Sequence, residues 1–402
     1  MWLIQVFWTL FGVFTIDMSL NKFRYAYSAL LMATCVYNFA NASQVICKLD
    51  HWCITFSSTL TGVYDRVLSS TAFLSRIAVV YECEPNISRY RATIRAFEAY
   101  SPPSSTELRR HGAFSLTVVT SCLVIIVPTN AISMYYLCRY EPNSDASLFV
   151  YHLFMYVQNL SMCCIETQFV VQCFKVYTKF RGINDDLRRL KDENVNRSEY
   201  PFMSPAGSSS SSSSSPLPPS QCHLQQPSSA IIYVKDFYHS QFTSQPTANV
   251  VELLRIKHWL IRQSIDALNN LFGVHMGLSV FYLWLMALFD IYYEMFYNYR
   301  SELLVYFWLL QYTLRLLMII LMAHFTTKQA LEAKSLITDI NNGIMDSSTK
   351  EELQLFINQI CSSSTEFNAY DFFTLNTQVI KSAIAAGATC LVILVQFHSG
   401  KN

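Results

Sequence analysis

Seven apolar runs divide the chain, and the charged residues collect between them. The runs cover residues 25–46, 54–80, 113–137, 147–174, 271–293, 303–325 and 378–397. At about 1.5 Å per residue, a helix through each crosses roughly the 30 Å of a bilayer's hydrocarbon core. The pattern predicts an all-α integral membrane protein with seven transmembrane helices. Residues 174–190, 256–273 and 353–360 repeat apolar positions at helical spacing with polar residues between them, which predicts amphipathic helices outside the hydrocarbon. Asp346-Ser347-Ser348 supplies a cap region for the last of these. Residues 1–16 are apolar but lack a basic start and a cleavage site, so they read as a short helix lying against the membrane before the first span. The resulting plan is an N-terminal segment 1–24, four spans over 25–174, and a polar segment 175–270 with a disordered Ser/Pro-rich insert at 204–228. Two spans over 271–325, a second polar segment 326–377, the final span 378–397 and a tail 398–402 follow.

Composition agrees with this class. Of 402 residues, 52% are hydrophobic and only 14% charged, against about 25% charged in soluble domains. The net charge of +1 conceals a sorting by side. Lys22 and Arg24, then Arg89, Arg91, Arg95, Arg109 and Arg110, then the basic residues from Lys175 to Arg262, and finally Lys328, Lys334 and Lys350 lie on one side. The other side carries Lys48, Arg139, Arg300 and Lys401. The positive-inside rule puts the N-terminus in the cytoplasm and the C-terminus outside. Nothing resembles a nucleic-acid footprint, and no phosphate loop, HExxH or GxSxG motif points to an enzyme. The twelve Cys residues show no metal-ligand spacing, and no cofactor is expected. Cys47 and Cys53 flank the first outer loop at a separation compatible with a bridge.

Ionisable residues inside spans are candidates for function. Asp65 is a candidate for a ligand cavity, whereas Arg76 lies nearer the cytoplasmic end, where a long side chain can snorkel to the interface. Asn130, Tyr135, Tyr156, Asp290, Trp308, Gln311, Tyr312 and Arg315 complete a candidate pocket near the outer ends of the third to sixth spans. Aromatic walls with a few fixed polar groups suit a small molecule. The same residue types also form the aromatic belt of any membrane protein, and the sequence does not separate the two. His152 has no metal partner at useful spacing and is expected to be hydrogen-bonded. A secondary transporter and a G-protein-coupled receptor are the competing classes. Neither inverted repeats nor interrupted helices support the first, and the orientation opposes the second.

The final span has small residues in its first half, Ser382, Ala383, Ala385, Ala386, Gly387 and Ala388, which permit close helix approach in lipid. Thr389, Val392 and Gln396 share one stripe of it. Residues 389–397, TCLVILVQF, resemble the C-terminal signature TYhhhhhQF (h apolar) of the insect gustatory receptor family, with Cys390 where the family usually has Tyr. Residues 179–190, 256–273 and 367–376 resemble the family at corresponding places, as does Leu10-Phe11-Gly12. The resemblance implies the insect chemoreceptor ion channel fold, a tetramer of this chain or of related subunits, and gating by a small-molecule tastant. It also implies a pore and gate at Thr389, Val392, Val395, Gln396 and Phe397, with cytosolic helix extensions that anchor neighbouring subunits. Membrane lipid is the remaining partner, and the expected site is the plasma membrane of chemosensory dendrites. Leu391 stands where the sugar-sensing branch usually carries an acid, which favours bitter or other non-sugar ligands.

Overall fold

The computed structural model describes residues 6–9, 11, 22–50, 56–140, 146–199, 247–296, 302–343, 345–370 and 372–399. Among these residues, eight helices carry the fold: α1 (Lys22–Asp50), α2 (Phe56–Tyr100), α3 (Ser105–Tyr140), α4 (Ala146–Glu199), α5 (Thr247–Phe296), α6 (Glu302–Asn341), α7 (Ser347–Cys361) and α8 (Thr377–Ser399). No β-strand occurs among the described residues, where the one isolated bridge joins Asn368 to Thr374. The Cys47 side chain, Cys53 and the 204–228 insert lie outside what is described.

Among the described residues, five helices are long and apolar enough to cross a membrane: α3, α4, α5, α6 and α8. The helices α1 and α2 cover the first two predicted spans but are less apolar, because they turn polar groups inward. Ser28, Thr34 and Asn38 of α1 and Asp65, Ser69, Ser75 and Arg76 of α2 are buried in the bundle. In hydrocarbon such groups are tolerated only where protein satisfies them. Thus the Asn38 amide donates to Tyr151 O at 3.2 Å, and Ser69 Oγ donates to Gln158 at 3.2 Å.

The structure corrects two expectations. Arg76 does not snorkel: it is 3% exposed, and its guanidinium donates to Phe11 O at 3.2 Å and to Ser161 Oγ. The N-terminal helical turn at 6–9 does not lie on the bilayer surface either, since Trp8 is buried and its indole donates to Thr167 Oγ1 at 3.2 Å. The two departures have one cause. Residues near the N-terminus fill the gap between α2 and α4 and supply the carbonyl that Arg76 needs.

Helix α5 is central and touches α2, α4, α6, α7 and α8. At the α2–α3 end, helices α4, α5 and α6 run past their apolar stretches and pack with α7. Each contributes a helical stripe: Phe180, Ile183, Leu187 and Leu190 from α4; Leu254, Ile261, Ile265 and Leu268 from α5; Ala330, Ala333, Ile337 and Ile340 from α6; Leu353, Phe356 and Ile360 from α7. Asp346 caps α7, its Oδ2 accepting from Thr349 N at 3.0 Å and its Oδ1 from Thr349 Oγ1 at 2.6 Å. These bonds hold the Asp346 carboxyl below its usual range. Pro102-Pro103 ends α2 and opens the turn into α3.

Between α7 and α8 the chain turns back at residues 367–376, with Tyr370 at a φ of 48°. Gly273 of α5 meets this turn closely, for a Cβ there would lie 3.1 Å from Asn368 O and 3.3 Å from Tyr370 N. Both neighbours are backbone and cannot rotate aside. Gly273→Ala is therefore expected to cost about 1 kcal/mol, read as a lowered thermal midpoint of the purified protein; an unchanged midpoint would show that the turn yields freely.

Candidate ligand chamber and final helix

Away from the α2–α3 end, α2 to α6 enclose a narrow chamber of ≈ 10 Å³, about the room of one water. Its aromatic wall is Tyr64 of α2, Tyr156 of α4, Tyr282 of α5, and Trp308 and Tyr312 of α6. Tyr64 stacks on Trp308 with ring centroids 6.4 Å apart, and its hydroxyl shares a hydrogen bond with that of Tyr312 at 2.7 Å. Tyr282 meets Tyr312 edge to face at 6.1 Å. Tyr156 donates to Ser133 Oγ at 2.7 Å. The Trp308 indole nitrogen is a buried donor without a hydrogen-bond partner among the described residues, an arrangement that costs stability unless something enters to accept from it.

Asn130 and Asn159 add polar groups to the lining. Asn159 also belongs to the layer beneath, where its Oδ1 accepts from Arg315 Nη1 at 2.6 Å. Arg315 forks onto Glu166 of α4, with Nε to Oε2 at 2.6 Å and Nη2 to Oε1 at 2.8 Å. Ser279 of α5 donates to the same carboxylate. One ion pair thus ties α4, α5 and α6 together directly below the chamber, in geometry that satisfies both charges.

The candidate pocket residues fall in three places. Asn130, Tyr156, Trp308 and Tyr312 line the chamber. Asp65, Asp290, Gln311 and Arg315 are buried in the bundle without lining it. Asp65 accepts from Tyr151 OH at 2.7 Å, and Asp290 has a carboxylate oxygen without a partner among the described residues. Tyr135, 64% exposed, faces away from the bundle and meets Tyr136 edge to face. Sequence reasoning did not single out Tyr64, Tyr282 or Glu166. His152, expected to be hydrogen-bonded, contacts Leu148 O through Nδ1 at 3.0 Å.

Helix α8 stands apart. Among the described elements it touches α5 and α6 alone, and 6% of its apolar stretch is buried, against 61% for α4 and α5. Gly387, its buried residue, lies where α8 crosses Trp284, whose indole donates to Ala383 O at 2.8 Å. Thr389, Val392 and Gln396 are exposed, and Val395 is half-buried. The Phe397 side chain lies outside what is described. Thr389 satisfies its hydroxyl on Ala385 O at 3.0 Å, so Gln396 is the member of the stripe that requires an outside partner.

The described residues form a helical bundle of membrane type, with a small aromatic chamber and a peripheral apolar last helix. The chain belongs to the 7tm chemosensory receptor family, whose pattern it matches over residues 3–400. Compared by sequence with curated proteins, it matches none. Its fold is similar to the insect olfactory receptor OR5 from Machilis hrabei, with a TM-score of 0.62, 11% identity and 98% of each chain covered. The same receptor in complex with eugenol aligns with a TM-score of 0.61 at 10% identity, covering 98% of this chain and 97% of that one.

Proposed function

We propose that this chain is a gustatory receptor: a tastant-gated, non-selective cation channel of the plasma membrane of chemosensory neurons, assembled as a tetramer with α8 of each subunit lining a shared pore. The observation that carries the reading is the exposure of α8. A membrane helix that leaves Gln396 exposed would place an amide in hydrocarbon unless water or another subunit meets it. Four such helices around an axis give Gln396 a wet environment, and the apolar residues beside it can close the pore by dewetting.

The chamber of Tyr64, Tyr156, Tyr282, Trp308 and Tyr312 takes the tastant, as the complex of the Machilis hrabei receptor takes a small molecule. At ≈ 10 Å³ it must open to admit one, so ligand binding and wall movement are the same event. Leu391 in place of an acid favours bitter or other non-sugar compounds. The sorting of the basic segments supports a cytoplasmic N-terminus and an outer C-terminus.

Whole-cell recording from cells expressing the full chain, under a panel of tastants, tests this. A cation current is expected whose permeation or gating changes in Gln396→Ala. Ligand-evoked second-messenger signals without current, or a C-terminal tag inaccessible on unpermeabilised cells, would overturn it.

A further inference from the structure

A second cavity, of ≈ 320 Å³, opens between α2, α3 and α4 at the end where α2 turns into α3. Its charged lining is Arg91, Arg95, Lys175 and Lys179 against Glu98 and Glu107. Lys179 is the buried member. Its side chain is 2% exposed, and its ammonium lies 3.4 Å from Glu98, 3.8 Å from Glu107 and 4.7 Å from the Phe97 ring. Burial pulls the Lys179 pKa down, and the two glutamates act against that. Glu98 also serves Lys175 at 3.4 Å. Lys175 and Lys179 share Glu98, and Glu107 adds a second carboxylate to Lys179; with Arg91 and Arg95, charged at every physiological pH, the basic groups of the lining outnumber its acids.

Donors surround the same space. Gln172 accepts from Tyr90 OH through Oε1 at 2.9 Å, which leaves its amide nitrogen as a donor at the wall. Pro103 and Glu107 also line it, so the positive end of the 36-residue helix α3 adds to the potential. The depth is informative as well. Lys175 directly follows the apolar run 147–174 and His111 precedes the run 113–137, which sets the cavity at the level of lipid headgroups.

We propose that this cavity binds a multiply phosphorylated headgroup, with Arg91, Arg95 and Lys175 as phosphate ligands and Lys179 as the buried floor. Several basic side chains spread over one cavity match several phosphate groups better than one, and guanidinium forks suit phosphate oxygens. A phosphoinositide in the membrane and a soluble inositol phosphate share this chemistry. On the topology proposed above the cavity faces the cytoplasmic leaflet; that assignment rests on the proposed function, whereas binding itself does not.

The test uses the purified full chain in phosphatidylcholine nanodiscs, titrated with a fluorescent short-chain phosphatidylinositol bisphosphate. Saturable binding is expected, weakened about tenfold or more in the double variant Arg91→Gln/Arg95→Gln. Glu107→Gln removes a competing carboxylate and is expected to tighten binding, a gain that unfolding could not produce. Full competition by soluble inositol trisphosphate would assign the site to soluble phosphates, and persistent lipid binding in its presence would assign it to the membrane. Binding no stronger than that of a phosphatidylcholine probe, or unchanged in both variants, would overturn the proposal. That failure would leave the channel reading intact, since the latter stands on ligand-evoked current.

Discussion

Arg315→Leu is expected to destabilise the receptor by about 3–5 kcal/mol, enough, on the plasma-membrane location proposed above, to remove most folded protein from the cell surface. Arg315 is 1% exposed, and Nε, Nη1 and Nη2 all donate at 2.6–2.8 Å. Removing the guanidinium leaves Glu166, 2% exposed, as a buried carboxylate with only the Ser279 hydroxyl described beside it. It also frees Asn159, which forms part of the chamber wall. Replacing both charges, as Arg315→Leu with Glu166→Leu, removes the uncompensated carboxylate and is expected to recover much of the loss. Surface labelling and thermal unfolding followed by size-exclusion chromatography would read both. If the single variant reached the surface and melted like the parent, the pair would be incidental. On the proposed function, the same geometry bears on gating. A ligand that draws the Asn159 carbonyl oxygen into the chamber competes with Arg315 for it, so occupancy of the chamber is linked to the junction of α4, α5 and α6.

How much of this was readable beforehand follows from what periodicity can carry. The helices, the amphipathic extensions and the Asp346 cap each leave a local pattern, and each lies where that pattern put it. Pairings between distant helices leave none. Glu166 sits in an apolar stretch much as Asp65 and Asp290 do, and nothing local says that it meets Arg315, 149 positions away. Matching every intramembrane acid against every intramembrane base would have raised the possibility, because an unpaired charge there is so costly. The aromatic residues pose the opposite difficulty: too many carry the same signal. Tyr135, Tyr156 and Tyr312 all stand near span ends, yet one faces outward and two line the chamber, a difference set by helix rotation. Apolarity also understates α1 and α2, whose polar residues are spent inside the bundle.

Acid is expected to loosen the helical extensions at the α2–α3 end through His258. This residue of α5 is 1% exposed, with its ring 5.1 Å from Phe180 of α4 and 5.4 Å from Phe356 of α7. Its Nε2 lies 3.2 Å from Ala330 O of α6, so Nε2 carries the proton and donates, while Nδ1 has no hydrogen-bond partner among the described residues. Protonation would add a charge and a second N–H where no acceptor waits. Burial therefore lowers the pKa from 6.5 to about 4, against the carbonyl bond, which raises it. Between those values the unfolded chain binds more protons than the folded one, so stability falls as pH falls. It is fully present above about pH 6.5 and is lost by about pH 4, with a total near 3 kcal/mol at about 1.36 kcal/mol per pH unit. The unfolding midpoint of the parent should drop across this window, and His258→Gln, which keeps a donor for Ala330 O without a titrating ring, should flatten that part of the profile. A variant that tracked the parent through the same window would place the acid sensitivity elsewhere. Because α4, α5, α6 and α7 all meet at this ring, the expected loss is one of packing among them, while the Arg315–Glu166 junction deeper in the bundle stays closed.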